Sequence, residues 1–247
     1  MSYILEACVD SVESALEAVK GGANRLELCG DLIIGGTTPN INLFKLIKEK
    51  TDVKINVLIR PRYGDFCYTE EEFQIIKRDI KMFKEAGANG VVIGILKPDG
   101  SLDVERMREL MVLAEGIHVT LHRAFDVCKD PYETLEEAKN LGMKSILTSG
   151  QKNKCAEGIE LLKELVENSE GQIEILIGSG INSKNVQQIV RYTKSSSVHT
   201  SGKIEVESLM KYRKGDISMG FPILSEYLIL RTDSTEIAKI REVLEKI

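Results

Sequence analysis

The residues best able to carry out chemistry occur in a short internal repeat near the start of the chain, which is called the echo below. The segment Leu-Glu-Ala-Cys-Val-Asp at 5–10 matches Leu-Glu-Leu-Cys-Gly-Asp at 26–31, so Glu6 and Cys8 correspond to Glu27 and Cys29. Side chains alternate between the faces of a β-strand, and each glutamate therefore shares a face with its cysteine. On neighbouring strands, about 4.8 Å apart, the two thiols can meet. Soft thiolates select Cu(I), which makes Cys8 and Cys29 candidate copper ligands.

A second interpretation of the two thiols is that they only pack. Free cysteine is commonly a small buried residue, and taken alone the pair favours packing over metal binding. Neighbouring strands of a barrel also contribute side chains to alternate layers, which would offset the echoed residues in height. The sequence leaves both interpretations open.

The glutamates, together with a histidine, also suggest acid–base chemistry. Glu6, Glu27 and His122 could exchange protons with a small substrate, since burial and neighbouring charges shift pKa values toward neutrality. Arg60 and Arg62 flank a proline and could bind a carboxylate or a phosphate with their forked donors. The alternative is an ion-pair network that only fills this end of the protein.

Two short loops rich in glycine and serine are typical of phosphate binding. Gly178 and Gly180 flank Ser179, and Ser201 precedes Gly202. Barrels often bind phosphate after their seventh and eighth strands through backbone N–H groups. The other residues expected to contact a substrate are Asp65, Arg123, Asp126, Ser149 and His199.

These residues need a scaffold that gathers them, and the hydrophobic pattern predicts one. Short apolar runs alternate with amphipathic stretches at a spacing of roughly thirty residues, the size of a βαβ unit. The predicted strands are 4–7, 25–28, 55–59, 90–93, 118–121, 145–147, 174–177 and 197–199. Such alternation requires a parallel sheet, and eight repeats favour closure. The sequence predicts an α/β protein, a single (β/α)8 TIM barrel over residues 1–247 with a parallel eight-stranded core.

Capping and breaking residues place the helices. Thr69 is suited to cap a helix over 70–86. Another helix is predicted to start after Pro131, a good first-turn residue, and to end at Gly142. The other predicted helices are 12–20, 42–50, 103–114, 156–168, 183–193 and 235–246. Because the functional sites of such barrels lie at the C-terminal ends of the strands, we expect the candidate residues to meet at one mouth.

Composition excludes several classes of partner. The net charge is −5, tryptophan is absent, and no block of lysine and arginine occurs, so nucleic acid is not expected to bind. No apolar run reaches the length of a membrane helix, and a strand-like run follows Met1-Ser2-Tyr3 directly, which leaves no room for a signal peptide. The five cysteines form no CxxC pair. This excludes a zinc ribbon and a thioredoxin motif. Because no export signal is expected, we predict reduced thiols in the cytoplasm.

Longer segments of the chain resemble the CutC family. The resemblance covers nearly the whole sequence, and its most specific parts are the Arg-Pro-Arg and His-Arg segments. The matching segments include Glu-Ala-Cys-Val-Asp-Ser at 6–11, Arg-Leu-Glu-Leu-Cys at 25–29, Gly-Gly-Thr-Thr-Pro at 35–39, Ile-Arg-Pro-Arg-Tyr-Gly-Asp-Phe at 59–66, His-Arg-Ala-Phe-Asp at 122–126, Leu-Thr-Ser-Gly at 147–150, Gly-Ser-Gly-Ile at 178–181 and Val-His-Thr-Ser at 198–201.

The resemblance implies a cytoplasmic TIM-barrel protein of copper homeostasis, often a homo-oligomer, in which Cys8 and Cys29 stand at the positions of proposed copper ligands. The sequence departs from relatives at Ile34, where an acid is common, and at Tyr63, where glycine is usual. We therefore expect Cu(I) binding through the two thiols. The alternatives are an enzyme acting on a small anionic or phosphorylated substrate and, third, a protein that only binds a partner.

Overall fold

The structure is a computed structural model that describes residues 3–215, 217–221 and 224–247. Within these residues, eight barrel strands alternate with eight α-helices. The strands are β1 (Ile4–Val9), β2 (Arg25–Leu28), β3 (Lys54–Leu58), β4 (Gly90–Ile93), β5 (His118–Leu121), β6 (Ser145–Thr148), β7 (Glu174–Ile177) and β8 (Ser197–Thr200). The helices are α1 (Val12–Lys20), α2 (Ile41–Lys48), α3 (Glu70–Glu85), α4 (Val104–Leu113), α5 (Pro131–Asn140), α6 (Ile159–Asn168), α7 (Val186–Thr193) and α8 (Ser234–Glu245).

The strands close into a barrel in sequential order, and β8 pairs with β1 in parallel. Each of the strands β1 to β7 is followed by a helix that returns the chain to the start of the next strand, as parallel pairing requires. The predicted α/β class and (β/α)8 TIM-barrel architecture are therefore confirmed.

Helix termini follow the capping residues seen in the sequence. The hydroxyl of Thr69 accepts a hydrogen bond from the backbone N–H of Glu72 at 3.2 Å, and the Glu72 carboxylate accepts one from the backbone N–H of Thr69 at 2.9 Å. This reciprocal capping box fixes the start of α3. Pro131 lies in the first turn of α5, as predicted. Within the described ranges, no helix combines the length and the apolar character needed to cross a bilayer.

The two faces of the barrel strands carry different residues. The outward-facing side chains of β1, such as Leu5 and Val9, are buried in the main apolar core beneath the helices. The inward face carries Glu6, and Arg25 and Asn56 lie buried on the neighbouring strands. Barrel interiors are usually filled by bulky branched apolar residues. The polar interior of this barrel therefore needs internal partners for its charges.

A β-hairpin between β8 and α8 was not predicted. It pairs β9 (Lys203–Glu207) with β10 (Leu228–Thr232) in antiparallel register. Every residue of β9 is exposed, yet the segment alternates apolar and charged residues, which is the signal of a strand. Thr232 ties the hairpin to the barrel, because its hydroxyl donates to the Ser201 carbonyl at 3.0 Å.

Candidate functional site at the barrel mouth

A cavity of about 680 Å³ opens at the C-terminal ends of the barrel strands. Its volume suits a small-molecule ligand. The predicted site residues that line it are Cys8, Glu27, Arg60, His122, Arg123, Gly180, His199 and Ser201. The predicted residues outside this lining are Glu6, Cys29, Arg62, Asp65, Asp126, Ser149 and Gly178.

The two cysteines of the echo lie side by side, with Cys8 in the cavity lining and Cys29 outside it. Cys8 stands within β1, which extends to Val9, and its partner across the strand pair is Glu27 rather than Cys29. The echoed residues are thus offset in height, yet the two Sγ atoms are 3.7 Å apart. The hydrogen bond with Cys29, together with burial, raises the pKa of Cys8 well above its usual value. The Cys8 thiol is therefore protonated when no metal is bound.

Glu27 is the carboxylate of the echo that lines the cavity. Its Oε1 accepts a weak hydrogen bond from the Cys8 thiol at 3.5 Å, and its Oε2 has no partner among the described residues. The side chain is buried, and this burial raises the pKa of Glu27 against the opposing effect of His199. An acid of this kind can exchange a proton closer to neutral pH than an exposed glutamate can.

Glu6 occupies a different place from its echo partner. It lies below the cavity, where its carboxylate accepts hydrogen bonds from Arg25 and from Nδ1 of His199, the latter at 2.9 Å. Burial by itself would raise the pKa of Glu6, but the Arg25 charge and the His199 hydrogen bond lower it to about 2. A carboxylate so firmly ionised is a weak base, and the contacts of Glu6 are those of a residue that orients His199.

Arg25 was not singled out in the sequence, although it anchors the interior network. Its guanidinium bridges Glu6 and Glu174, and the second bond measures 2.7 Å. Its side chain is only 7 % exposed. Arg25 lies two residues before Glu27 on β2, so period-two alternation places both on the inward face. This alternation is the sequence signal from which Arg25 could have been predicted to face inward.

His199 comes from β8, which lies beside β1 because the barrel closes. Glu6 and His199 are direct partners in this strand pair. Burial alone would lower the pKa of His199, but Glu27 and Glu6 raise it above its ordinary value. The ligand atoms of Cys8, Glu27 and His199 all lie within 4.8 Å of one another.

His122 faces the cavity as a neutral ring. Burial, reinforced by the nearby Arg60 charge, lowers the pKa of His122 to about 3. Its Nδ1 accepts a hydrogen bond from the backbone N–H of Ala124 at 3.1 Å. In a neutral imidazole the other nitrogen then carries the proton, and this Nε2 has no partner within the described part of the chain. His122 can therefore donate a hydrogen bond to a ligand.

Arg60 joins two loops while presenting positive charge to the cavity. Its guanidinium donates to the carbonyls of Gly36 at 3.0 Å and Gly64 at 2.7 Å, and it stacks over the Phe66 ring at 4.9 Å from the centroid. Nε has no hydrogen-bond partner among the residues described. The backbone contacts fix the position of the charge without neutralising it.

Arg62 is directed away from the cavity. Its guanidinium donates to the carboxylates of Glu72 at 2.6 Å and Asp65 at 2.9 Å, and to the Cys67 carbonyl at 3.0 Å. These acceptors lie at the start of α3 and in the loop before it. The two arginines of the Arg-Pro-Arg segment are therefore not brought together, and Asp65 stays with Arg62.

Asp126 organises the loop after β6. Its carboxylate accepts hydrogen bonds from the Thr148 hydroxyl at 2.6 Å and the Ser149 backbone N–H at 3.0 Å. It also accepts one from Nε of Arg123 at 2.6 Å. Asp126 and Ser149 are thus hydrogen-bonded to each other outside the cavity lining. Arg123 lines the cavity, and its side chain is 42 % exposed.

The loops after β7 and β8 lie beside two carboxylates. Glu236 accepts the backbone N–H of Ser183 at 2.7 Å and its hydroxyl at 3.0 Å, and Asp233 caps α8. Both acids line the cavity next to Gly180 and Ser201. Like charges repel, so these acids disfavour a phosphate at this end of the cavity. The sequence of the two loops did not predict Asp233 and Glu236, because both acids follow the hairpin in the chain.

The fold and the mouth together define a class of protein: a (β/α)8 barrel whose polar interior supports a cavity with thiol, carboxylate, imidazole and guanidinium groups. Among known protein families, the CutC family matches residues 3–204 of this chain. The chain belongs to the CutC family.

Relatives match over almost their whole length. The copper homeostasis protein cutC homolog of Mus musculus is 39% identical over 246 residues, covering 99% of this chain and 90% of that protein. A CutC family protein of Bacteroides fragilis is 42% identical, covering 100% of this chain and 98% of that protein. The crystal structure of a CutC from Streptococcus agalactiae superposes with a TM-score of 0.77 at 30% identity, covering 81% of this chain and 98% of that one.

Proposed function

We propose that this chain serves copper homeostasis in the cytoplasm by binding Cu(I) through Cys8 and Cys29. The observation that carries the proposal is the 3.7 Å separation of the two sulfurs. A metal–thiolate bond is about 2.3 Å long, as for zinc, so two sulfurs sharing one ion lie at most about 4.6 Å apart. The relatives' names supply the link to copper homeostasis.

The donor chemistry fits this ion. Thiolates are soft ligands, and soft ligands select Cu(I). All five cysteines are free thiols, in keeping with a reducing compartment. Cu(I) binding has to displace the proton of Cys8, so we expect the affinity to increase with pH.

Anaerobic titration of the reduced protein with Cu(I), against a competing chelator, tests the proposal. We expect one ion per chain, and an affinity reduced by at least about 100-fold in Cys8→Ser and in Cys29→Ser. Loss of a metal ligand should reduce the affinity by more than the 10- to 100-fold that is typical of residues that only orient a ligand.

Cys67→Ser is the matched control, because Cys67 is a free thiol in the loop before α3 and does not line the cavity. It should bind Cu(I) like the parent protein. Weak binding by the parent, or equal affinity in all three variants, would exclude the thiol-pair site.

A second candidate function is catalysis on a small anionic substrate. It is favoured by three buried cavity groups whose atoms have no partner in the described residues: Glu27 Oε2, His122 Nε2 and Arg60 Nε. Unsatisfied buried polar atoms are rare and call for a ligand or solvent. Glu27 would exchange the proton, His122 would donate a hydrogen bond, and Arg60 with Arg123 would bind the anion.

Calorimetric screening of carboxylates and sugar phosphates measures the binding of small anions directly. A charge-assisted hydrogen bond contributes about 1.5–3 kcal/mol, so Arg123→Gln should weaken binding of an anion roughly 10- to 100-fold. Arg62→Gln removes the same charge outside the cavity lining and should leave affinity unchanged. Equal effects of the two substitutions would contradict the cavity as the anion site.

A further inference from the structure

Three potential ligands converge at the point where the barrel closes. Cys8 on β1, Glu27 on β2 and His199 on β8 place their donor atoms within 4.8 Å of one another. We propose that these three residues bind a divalent cation of borderline softness, with Zn²⁺ as the reference ion. The site shares Cys8 with the thiol pair but does not use Cys29, and it does not rest on Cu(I) binding.

The donor set distinguishes this site from the thiol pair. Sulfur, imidazole nitrogen and carboxylate oxygen are the three ligand types of zinc, whereas two thiolates alone favour Cu(I). Ionised Cys8 and Glu27 together balance the charge of a divalent ion. Three protein ligands leave the fourth tetrahedral position for water or substrate, the arrangement of catalytic zinc sites.

The spacing of the donors suits one ion. Zinc bonds of about 2.0–2.3 Å place the ligand atoms of a tetrahedral site roughly 3.3–3.8 Å apart. The Cys8 sulfur and Glu27 Oε1 are already 3.5 Å apart. The remaining separations are at most 4.8 Å, about an ångström beyond this range.

His199 is held in the orientation that a metal ligand requires. Its Nδ1 is paired with Glu6 Oε1 at 2.9 Å, which leaves Nε2 as the nitrogen for an ion. Metal-binding histidines nearly always donate their other ring nitrogen to such an acceptor. Glu6 is fixed in turn by Arg25. Glu6 is therefore a positioning residue for this site.

An independent observation supports a cation here. Oε2 of Glu27 has no hydrogen-bond partner among the described residues, although the side chain is only 4 % exposed. Leaving a buried carboxylate oxygen unpaired is costly, and a bound cation supplies the missing partner.

The open position of the ion would face the cavity that His122 and Arg60 also line. A Lewis acid there would polarise a carbonyl or a water held beside these donors. Because Cys8 belongs to both sites, Zn²⁺ and Cu(I) exclude each other. The substitutions that separate the two sites also separate the two proposals.

The test is Zn²⁺ binding to the metal-free, reduced protein, measured by competition with a chromophoric chelator. We expect Cys8→Ser and His199→Gln each to weaken Zn²⁺ binding by more than about 100-fold, and Glu6→Gln to weaken it about 10- to 100-fold. Cys29→Ser, which abolishes the thiol pair, should change Zn²⁺ affinity by less than about 10-fold, because Cys29 contacts Cys8 but does not bind the ion. His199→Gln should leave Cu(I) affinity unchanged.

Substitution with Co²⁺ provides a second readout, and its decisive measurement is made on the parent protein. The parent protein and Cys29→Ser should both show the absorption of a thiolate-bound tetrahedral cobalt. Absence of this absorption from the parent would overturn the proposal. So would Zn²⁺ affinity that is retained in His199→Gln or lost in Cys29→Ser, since the ligands would then be the two thiols.

Discussion

Arg25→Met is expected to destabilise the protein by about 3–5 kcal/mol, the usual cost of removing one partner from a buried ion pair. The arginine is 7 % exposed and bridges Glu6 and Glu174 inside the barrel. Without it, the buried Glu6 carboxylate stays in the interior, where little water can solvate it, and the partly exposed Glu174 loses the same partner. Methionine has a similar length and apolar bulk, so the loss of stability measures the contribution of the charge. Urea unfolding at neutral pH measures the free energy change.

Arg213→Met serves as the reference for this measurement. Arg213 pairs with Glu207 on the exposed hairpin at 3.1 Å, and exposed pairs contribute only about 0–1 kcal/mol. If Arg25→Met is no less stable than Arg213→Met, then the interior ion pairs contribute no net stability, and the polar barrel interior requires a different explanation.

Acid should destabilise the protein through Glu6 in particular. The Glu6 pKa falls from 4.5 to about 2 on folding, in spite of burial, because of Arg25 and His199. A group with a depressed pKa contributes stability that is fully present above its unfolded value of 4.5 and is lost as the pH falls toward 2. At about 1.4 kcal/mol per pKa unit, this amounts to about 3 kcal/mol.

Unfolding free energies measured between pH 7 and pH 2 should show this loss in the parent protein and a flatter profile in Glu6→Gln. Glu242→Gln is the control, because Glu242 pairs with Lys246 on the surface of α8, where solvent screens the interaction. A Glu6→Gln profile as steep as the parent's would show that other groups carry the acid sensitivity.

His199 acts in the opposite direction along the pH scale. Its pKa is raised in the folded state, chiefly by Glu27 and Glu6 acting against burial. A raised pKa contributes stability below the unfolded value of 6.5 that is lost as the pH rises through the folded value. Glu6 and His199 both contribute fully between about pH 5 and pH 6.5. The interior network should therefore be most stabilising in this window.

The same network links stability to the candidate site. Arg25 holds Glu6, Glu6 orients His199, and His199 lies within reach of Cys8 and Glu27. A barrel filled with branched apolar residues could not orient an imidazole in this way. The polar interior thus has a structural role, and it also orients His199 at the mouth.

Much of this architecture followed from the sequence alone. Eight apolar runs separated by amphipathic stretches predict a (β/α)8 barrel because parallel strands need helical crossovers, and Thr69 and Pro131 placed helix starts correctly. The echo around Cys8 and Cys29 predicted that two thiols share one region, since period-two alternation and strand adjacency are local properties. These predictions depend on patterns within one or two neighbouring elements.

The tertiary structure decided the rest, because the remaining contacts join residues far apart in the chain. Closure of β8 against β1 brings His199 to Glu6, and strand register sets Cys8 opposite Glu27. Similar residue types also receive different roles from their surroundings: Arg60 faces the cavity, whereas acceptors near α3 hold Arg62 away from it. Residue type and spacing thus named the chemical groups at the mouth, while barrel closure and burial determined which of them meet and which proton each one holds.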